Sequence, residues 1–371
     1  MRIFLLGATP SFKEEPGQSG ATKLARTGGN SGNQVIAYGL LQSLKYSNLS
    51  WDYSVGPDFV RENYDFVLIA AANFLHKSFD FGGMADFLEK TKLPCAMIGV
   101  GAQSNDYGLD LELQPGTRRL MDIVSERSKL IGVRGQFTAG VLDRLGIKNV
   151  QVTGCPSYYM LGPAGPTKRA DHPSFPSRIS INSSRDVIRH SFDPSRMASS
   201  VQHIMSIGVK YGADFVAQSE SDEIAIAMSS GDADAAVIER FVQFYSSVGS
   251  SEELTLYAKN HLKIFWDVGS WIDAVRRVDF VLGHRFHGAM VALQAGTPYC
   301  VICHDSRTSE MCEFFEMSHV KLLDSRAEEF EYLWEVGRVG DVSDRYAQLF
   351  PLFMNFLSAN GLEPRHQSFV E

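Results

Sequence analysis

The sequence predicts an α/β fold made of two Rossmann-like, doubly wound domains that face each other across a central cleft. Short apolar runs alternate with helical patterns in both halves of the chain, which is typical of parallel sheets covered by helices. Residues 162–177 contain four prolines and two glycines and have almost no apolar periodicity. We therefore place the domain boundary there, with the first domain at residues 1–165 and the second at 166–371.

In the first domain, each predicted strand is a short and mostly unalternated apolar run, as expected for a strand buried on both faces. These strands are residues 2–7, 66–71, 95–100, 130–133 and 150–152. Apolar residues at helical spacing predict helices at residues 34–44, 84–90, 113–126 and 136–145. The last of these helices ends at Gly146, because glycine is a common helix stop.

The second domain repeats the alternation of strands and helices. The predicted strands are residues 178–181, 214–217, 263–266, 280–282 and 299–303. The predicted helices are residues 197–209, 235–247, 270–277 and 286–295. Beyond residue 324 the pattern is helical and rich in aromatic residues, so we expect the second domain to end in a helical tail.

Composition limits the class of ligand. The chain has 371 residues, of which 44% are hydrophobic and 21% are charged, as in an ordinary globular protein. Its net charge of −8 argues against a nucleic-acid partner. Because the overall charge is negative, an anionic ligand has to be attracted by a local cluster of cations.

The sequence also favours a cytoplasmic protein. The apolar run at the amino terminus is too short for a signal peptide, and no apolar stretch reaches the roughly 18 residues that a membrane span needs. An odd number of cysteines, five in all, fits reduced thiols. Cys300 and Cys303 have zinc-like spacing, but residues three apart in a strand point to opposite faces, so we expect no metal site.

The most informative stretch is Asp279-Phe-Val-Leu-Gly-His-Arg-Phe-His-Gly-Ala-Met290. It predicts a buried strand, a glycine turn and a helix, with His284, Arg285 and His287 between the strand and the helix. Open α/β sheets bind ligands at this position, where the helix dipole favours an anion. The guanidinium suits a carboxylate or a phosphate, and an imidazole moves a proton near neutral pH. The alternative is that these side chains only cap the helix and form salt bridges.

Other polar groups follow predicted strands at the same edge of each sheet. The loop at residues 27–34 combines glycines with amide and hydroxyl groups, and a glycine turn occupies residues 98–104. Arg134 lies between a strand end and a helix start, as Arg285 does in the other half. For each group a structural role in a cap or an ion pair stays open. Further strand ends carry Asn182, Arg185, His304 and Arg307.

Several enzyme classes lack their motifs in this chain. There is no Gly-x-Ser-x-Gly elbow, no His-Glu-x-x-His zinc motif and no kinase motif set. The early glycine loop lacks both the P-loop lysine and the dinucleotide spacing. No Asp-x-Asp pair at a strand end supports a metal-dependent glycosyltransferase.

Taken together, these motifs resemble the polysaccharide pyruvyl transferase family. The likeness rests on Gly29-Asn-Ser-Gly-Asn-Gln34, Ile98-Gly-Val-Gly-Ala-Gln103, Val133-Arg134 with the segment 142–154, and His284-Arg-Phe-His-Gly288 followed by Leu293-Gln-Ala-Gly-Thr-Pro298. It spans roughly residues 29–315. The chain departs from the family at Asn33, where aspartate is usual, at Cys155-Pro156, where Asp-Pro is usual, and at Arg307, where lysine is common.

The resemblance implies transfer of pyruvate from phosphoenolpyruvate to two sugar hydroxyls, which forms a cyclic ketal and releases phosphate. It also implies a GT-B-like pair of domains, no metal or nicotinamide cofactor, and a glycan or lipid-linked oligosaccharide acceptor at the inner face of the membrane. We expect Arg285 to hold a donor anion and His287 to act as acid and base near its ordinary pKa. The remaining predicted donor contacts are Arg134, Arg185, His284, Gly288, Asn182 and Arg307. The predicted acceptor contacts are Asn30, Gly32, Asn33 and Gln103.

Two other functions fit parts of the same pattern. A nucleotide-sugar glycosyltransferase with the same two-domain cleft would use Arg285 to hold the donor's diphosphate. A non-catalytic glycan-binding homologue would bind an anionic glycan without turnover, but it would leave the pairing of Arg285 and His287 without a task.

Overall fold

The computed structural model contains two α/β domains with parallel sheets, so the predicted fold class is confirmed. The structure describes residues 1–13, 15, 17–52, 54–104, 108–167, 173–183, 185–229 and 232–366. Within these ranges no helix is long and apolar enough to cross a membrane.

The first sheet has six parallel strands in the order β3-β1-β4-β5-β6-β7. Its central strands β4 and β5 are buried at every residue, as their unbroken apolar runs predict. The strands of this half are β1 (Arg2–Gly7), β2 (Leu44–Lys45), β3 (Asn48–Ser50), β4 (Phe66–Ala70), β5 (Cys95–Val100), β6 (Ile131–Val133) and β7 (Val150–Val152). The helices are α1 (Gly20–Arg26), α2 (Asn33–Gln42), α3 (Pro57–Asn63), α4 (Gly82–Thr91), α5 (Pro115–Arg127) and α6 (Gln136–Arg144).

The second sheet also has six parallel strands, in the order β10-β9-β8-β11-β12-β13. Its strands are β8 (Ile179–Asn182), β9 (Asp214–Val216), β10 (Leu262–Lys263), β11 (Phe280–Gly283), β12 (Tyr299–Cys303) and β13 (His319–Lys321). The helices are α7 (Pro194–Tyr211), α8 (Ser221–Met228), α9 (Ala235–Phe244), α10 (Ser251–His261), α11 (Val268–Val275), α12 (Phe286–Ala295), α13 (Ser306–Phe315), α14 (Phe330–Val339) and α15 (Ser343–Ala359). Short 3₁₀ helices occupy Pro156–Tyr159, Gly162–Ala164 and Arg185–His190.

The apolar strands and long helices match the predictions, but short polar elements do not. Strands β3 and β13 were not predicted because each carries polar residues and spans only three positions. The strand predicted at residues 263–266 is shorter and earlier, at Leu262–Lys263. Helices α1, α3, α8 and α10 were also missed, although a capping signal marks α10. Ser250 and Glu253 form a capping box at α10, and Asp305 and Thr308 form one at α13.

One continuous hydrophobic core joins the two domains. It contains residues of α2 from the first domain together with residues of α12 and α15 from the second half of the chain. Tyr158 stacks on Phe315 with ring centroids 4.0 Å apart, and Tyr159 stacks on Phe353 at 4.2 Å. The two domains therefore meet over packed apolar surface behind the cleft.

The helical tail returns to the first domain. After α15, β14 (Glu363–Pro364) pairs antiparallel with β2, and Asn360 Oδ1 accepts a hydrogen bond of 3.0 Å from the backbone N–H of Leu130. The tail assigned to the second domain thus packs on the first. The division at residues 165 and 166 stays a prediction, and residues 168–172 of the boundary segment lie outside the described residues, as does the polar end at 367–371.

A candidate active site between the domains

The turn after β11 brings the Arg285 backbone against β8. Gly283 has a φ of +158°, and a Cβ atom at this position would lie 2.0 Å from the carbonyl oxygen of Asn182. Arg285 is the N-cap residue of α12, and its backbone N–H donates a hydrogen bond of 2.8 Å to Asn182 Oδ1. At Gly288 a Cβ would lie 2.4 Å from Asn182 Nδ2. Asn182 and Gly288 therefore shape the start of α12.

Arg285 is held by a buried carboxylate that the sequence analysis did not single out. Its Nη2 donates to Glu220 Oε1 and to Ser219 Oγ, and its Nε donates to the Ser183 carbonyl at 2.9 Å. Burial alone would raise the pKa of Glu220, but the charge of Arg285 and the Gln218 N–H outweigh it and lower that pKa. Most of the hydrogen-bonding capacity of the Arg285 guanidinium is thus used within the protein, as the salt-bridge alternative predicted. The role of Arg285 as a contact of the pyruvyl donor stays a prediction.

His284 lies inside the second domain. Its ring nitrogens meet two hydroxyls, Ser183 Oγ at 3.3 Å and Ser200 Oγ at 2.9 Å, and the ring is fully buried. Burial lowers its pKa well below the ordinary value, and the neighbouring His304 and Arg285 act in the same direction. A neutral imidazole between two serines is a structural core residue, so the structure gives His284 no donor contact.

His287 is buried against the first domain. Its Nε2 lies 3.6 Å from the Cys155 sulfur, and a Cβ atom on Gly32 would lie 3.2 Å from the His287 Cβ. Burial, then the positive charges of Arg134, Arg307 and Arg285, lower its pKa well below the ordinary value. The expectation of a histidine near its ordinary pKa is corrected, because burial first, and then the cationic neighbours, favour the neutral imidazole.

Arg134 is the least satisfied cation near His287. Its Nε donates to the Gly99 carbonyl at 2.8 Å, whereas its Nη2 is buried and has no hydrogen-bond partner among the described residues. Among the residues that the structure describes, no carboxylate forms an ion pair with Arg134. Burial, together with the charge of Arg307, lowers its pKa from the ordinary value for arginine. A buried donor of this kind is what an anionic ligand would occupy.

Helix α13 connects the second domain to the first by polar contacts. Asp305 accepts hydrogen bonds from Gln103 Nε2 at 3.2 Å and from Arg307 Nη2 at 3.1 Å. Glu310 accepts from the Thr138 hydroxyl at 2.7 Å and from the Thr138 N–H at 3.2 Å. Burial raises the pKa of Glu310 to about 7. Gln103 thus bridges the domains, which leaves less of its amide for an acceptor than the sequence predicted.

Arg185 differs from the prediction that it contacts the donor. Its Nη2 pairs with Glu223 at 2.5 Å and with Asp222 at 3.3 Å, both on α8, and its guanidinium carbon lies 5.1 Å from the Phe244 ring centroid. Two carboxylates neutralise this charge. The structure therefore places Arg185 in an ion-pair network of the second domain.

The early loop contacts the second domain, and its side chains form hydrogen bonds within the loop itself. Asn30 Oδ1 accepts from the Gly32 N–H at 2.8 Å, and Asn33 Nδ2 donates to the Thr27 carbonyl at 2.9 Å. The Ser31 N–H donates to the Gln218 carbonyl at 2.8 Å, which joins the loop to the second domain. The acceptor contacts at Asn30, Gly32 and Asn33 stay predictions.

Three residues of this region were missed from the sequence: Gln218, Glu220 and Glu310. A usable signal existed for the first two, because they follow the strand predicted at residues 214–217 and the carboxyl ends of parallel strands share one edge. Glu310 carries no such signal. It lies inside a helix and meets Thr138 only because the domains pack together.

Comparison with known proteins identifies a family. A model of the family described as polysaccharide pyruvyl transferase matches residues 30–306, more than half of the chain. No curated protein sequence matches the chain.

Three solved structures align with nearly the whole chain at low identity. S. aureus MnaA, solved with UDP, is 13% identical, with 99% of this chain and 100% of that chain covered and a TM-score of 0.46. Anabaena Alr3699/HepE, solved with UDP, is 10% identical, with 97% and 98% covered and a TM-score of 0.45. UDP-GlcNAc 2-epimerase from Neisseria meningitidis, bound to UDP-GlcNAc, is 10% identical, with 97% and 100% covered and a TM-score of 0.42. Similarities at this level carry no argument about the ligand of this chain.

Proposed function

This chain belongs to the polysaccharide pyruvyl transferase family, and from that membership we propose that it transfers pyruvate from phosphoenolpyruvate to two hydroxyls of a sugar. The acceptor would be a glycan or a lipid-linked oligosaccharide, and the products are a cyclic ketal and inorganic phosphate. The observation that carries the proposal is the buried Arg134 Nη2 beside His287, which has no partner among the described residues. Its guanidinium can donate a charge-assisted hydrogen bond to an anionic ligand.

The donor's two anionic groups match cations from both domains. Phosphoenolpyruvate carries a carboxylate and a phosphate, and guanidinium groups bind either in bidentate geometry. Arg134 comes from the first domain and Arg307 from the second, and each affects the pKa of His287. Arg285 borders the same region, but its charge is mainly engaged by Glu220. We therefore assign the leading donor contact to Arg134 and a supporting contact to Arg307.

His287 suits the proton transfers of this reaction. One sugar hydroxyl adds to C2 of phosphoenolpyruvate, and its proton passes to the neutral imidazole, which delivers it to C3. The bond from C2 to the phosphate oxygen then breaks, and the second hydroxyl attacks C2 and passes its proton to the departing phosphate, which closes the ketal. Because burial and Arg134 lower the pKa of His287, the resting imidazole is a free base and its protonated form is a strong acid for C3.

The test is incubation with labelled phosphoenolpyruvate and a panel of lipid-linked and model glycosides. We expect phosphate release together with an acceptor mass increase equal to one pyruvyl ketal. Phosphate release without acceptor modification, or release of a nucleoside diphosphate from a nucleotide sugar, would reject pyruvyl transfer. The second of these outcomes would support the glycosyltransferase alternative.

A further inference from the structure

Gln218 has a fixed backbone and an unsatisfied side chain. Its N–H donates to Glu220 Oε2 at 2.9 Å, and its carbonyl accepts from the Ser31 N–H of the other domain at 2.8 Å. The residue is 1% exposed, yet its Nε2 is buried and has no hydrogen-bond partner among the described residues. A buried amide N–H in a native protein normally has a hydrogen-bond acceptor. We therefore expect a ligand to supply the acceptor for Gln218 Nε2.

The Gln218 amide lies close to Gly32 and to the Cβ end of His287. A Cβ atom on Gly32 would lie 2.4 Å from Gln218 Oε1, 3.0 Å from Asn30 Oδ1 and 3.2 Å from His287 Cβ. The other end of the imidazole, Nε2, meets Cys155 at 3.6 Å. His287 thus has the Cys155 thiol, itself close to the Arg134 guanidinium, at its Nε2 side, and a glycine with two carboxamides at its Cβ side.

These two sides suit different ligands. A guanidinium without a counter-ion suits an anion, whereas uncharged amides beside a glycine suit hydroxyl groups, which both donate and accept hydrogen bonds. A base that takes a proton from a hydroxyl has to lie within hydrogen-bond reach of it. The hydroxyl-bearing ligand therefore belongs on the amide side, next to His287.

The ion pair of Arg285 and Glu220 fixes the position of Gln218. Arg285 Nη2 binds Glu220 Oε1, and Glu220 Oε2 accepts from the Gln218 and Ser219 N–H groups at 2.9 and 3.1 Å. The loop after β9 is thereby tied to the turn that carries His287. Arg285 reaches the Gln218 loop through Glu220 and Ser219, so it acts on this side as a positioning residue.

We propose that the carboxamide of Gln218 donates a hydrogen bond to a hydroxyl of the acceptor sugar, and that the Arg285–Glu220 pair positions it. This inference rests on the proposed function, because it assigns the acceptor subsite of the same reaction. The ligand class is a neutral polyhydroxy group, whereas the anionic donor occupies the Arg134 side.

The test compares Gln218→Leu, which keeps the size of the side chain and removes the amide, with wild type. We expect the KM for the acceptor to rise about tenfold, the usual scale for one lost neutral hydrogen bond, while the KM for phosphoenolpyruvate and its affinity by calorimetry stay unchanged. The acceptor KM of Gln218→Asn, which keeps an amide on a shorter side chain, should lie between those of wild type and Gln218→Leu. The matched control is Gln243→Leu on the exposed face of α9, which should resemble wild type.

Glu220→Gln tests the positioning role. It removes the charge that binds Arg285, so we expect the acceptor KM to rise as in Gln218→Leu and the double variant to add little further.

An unchanged acceptor KM in folded Gln218→Leu would overturn the inference and would mean that a structural water satisfies the amide. An equal rise of both KM values would also overturn it. Failure of wild type to consume phosphoenolpyruvate rejects the proposed function instead, which separates the two failures.

Discussion

Arg285 and Glu220 form a buried ion pair, with side chains only 8% and 0% exposed. The pair joins the turn after β11 to the loop after β9, and Ser219 and the Ser183 carbonyl share the guanidinium. A charge removed from water is tolerable only when its partner stays in place. The arginine of the most specific motif therefore has a structural function whatever its contact with substrate.

Removal of Arg285 alone should destabilise the fold. Arg285→Met leaves the Glu220 carboxylate buried and unpaired, and we expect a loss of about 3–5 kcal/mol in the free energy of unfolding. The double variant Arg285→Met, Glu220→Gln should regain most of this loss, because no charge remains. Urea denaturation measures both. As a control, Arg276→Met breaks an exposed pair with Asp273 and should cost about 1 kcal/mol or less. Similar losses in the single and double variants would contradict a buried charge pair.

Loss of Arg134 should abolish activity without loss of stability. Arg134→Met removes a buried charge that has no ion-pair partner among the described residues, so the free energy of unfolding should stay constant or rise. Turnover should fall at least about a hundredfold, because the donor loses its main charge contact. Steady-state kinetics and urea denaturation of the same sample check this. Turnover close to that of wild type would remove Arg134 from the donor site.

The sequence predicted the sheets better than the site. Apolar runs such as Phe66–Ala70 are buried on both faces wherever they pack, so local composition is sufficient to predict them. The sequence placed Arg134 and His287 beside strand ends, and the folded chain brings these two side chains near each other. The partner of each cation did not follow, because Glu220 and Arg285 are 65 residues apart and only the folded chain brings them together. The neutral state of His287 likewise depends on Arg134 and on burial, which no local pattern records.

The pH profile should report the lowered pKa of His287. Because burial and Arg134 keep the imidazole neutral, turnover should not fall as the pH drops through about 6.5, the ordinary histidine value, and should fall only at clearly lower pH. Cys155→Asp places a carboxylate beside the ring, which raises the pKa of His287, so the acidic limb should move to higher pH. Cys155→Ser adds no charge and should keep the wild-type limb. Coincident profiles for Asp and Ser variants would contradict contact between the two side chains.

Gly32 should tolerate no side chain. Its φ is −60°, which any residue adopts, so only space requires the glycine. In Gly32→Ala the new Cβ would lie 2.4 Å from Gln218 Oε1 and 3.2 Å from His287 Cβ, both in the opposite domain. We expect the domains to be forced apart and turnover to fall at least about tenfold, since small displacements of reacting groups are costly. Gly29→Ala in the same loop has a free Cβ position but a φ of +76°, and therefore controls for backbone strain alone. Turnover close to that of wild type in Gly32→Ala would contradict the close contact with the second domain.

The contact of Glu310 with Thr138 should make the domain interface sensitive to pH. Burial raises the pKa of Glu310 to about 7 in the folded chain, against about 4.3 when unfolded. A raised folded-state pKa contributes stability that is fully present below the unfolded value and is lost as the pH rises through about 7. Glu310→Gln stays neutral throughout. The variant should therefore gain stability over wild type as the pH rises from 5 to 8, by up to about 1.4 kcal/mol per pH unit.

Urea denaturation across that pH range measures the Glu310 effect, and Glu313→Gln on the same helix is the matched control. Glu313 is half exposed and pairs with Lys321 at the surface, so its removal should shift the wild-type curve with little change of shape. A constant difference between Glu310→Gln and wild type at every pH would mean that Glu310 is already ionised at the interface. The Thr138 hydrogen bonds would then bind a permanent carboxylate at the start of α6, and closure of the domains would not depend on pH through this residue.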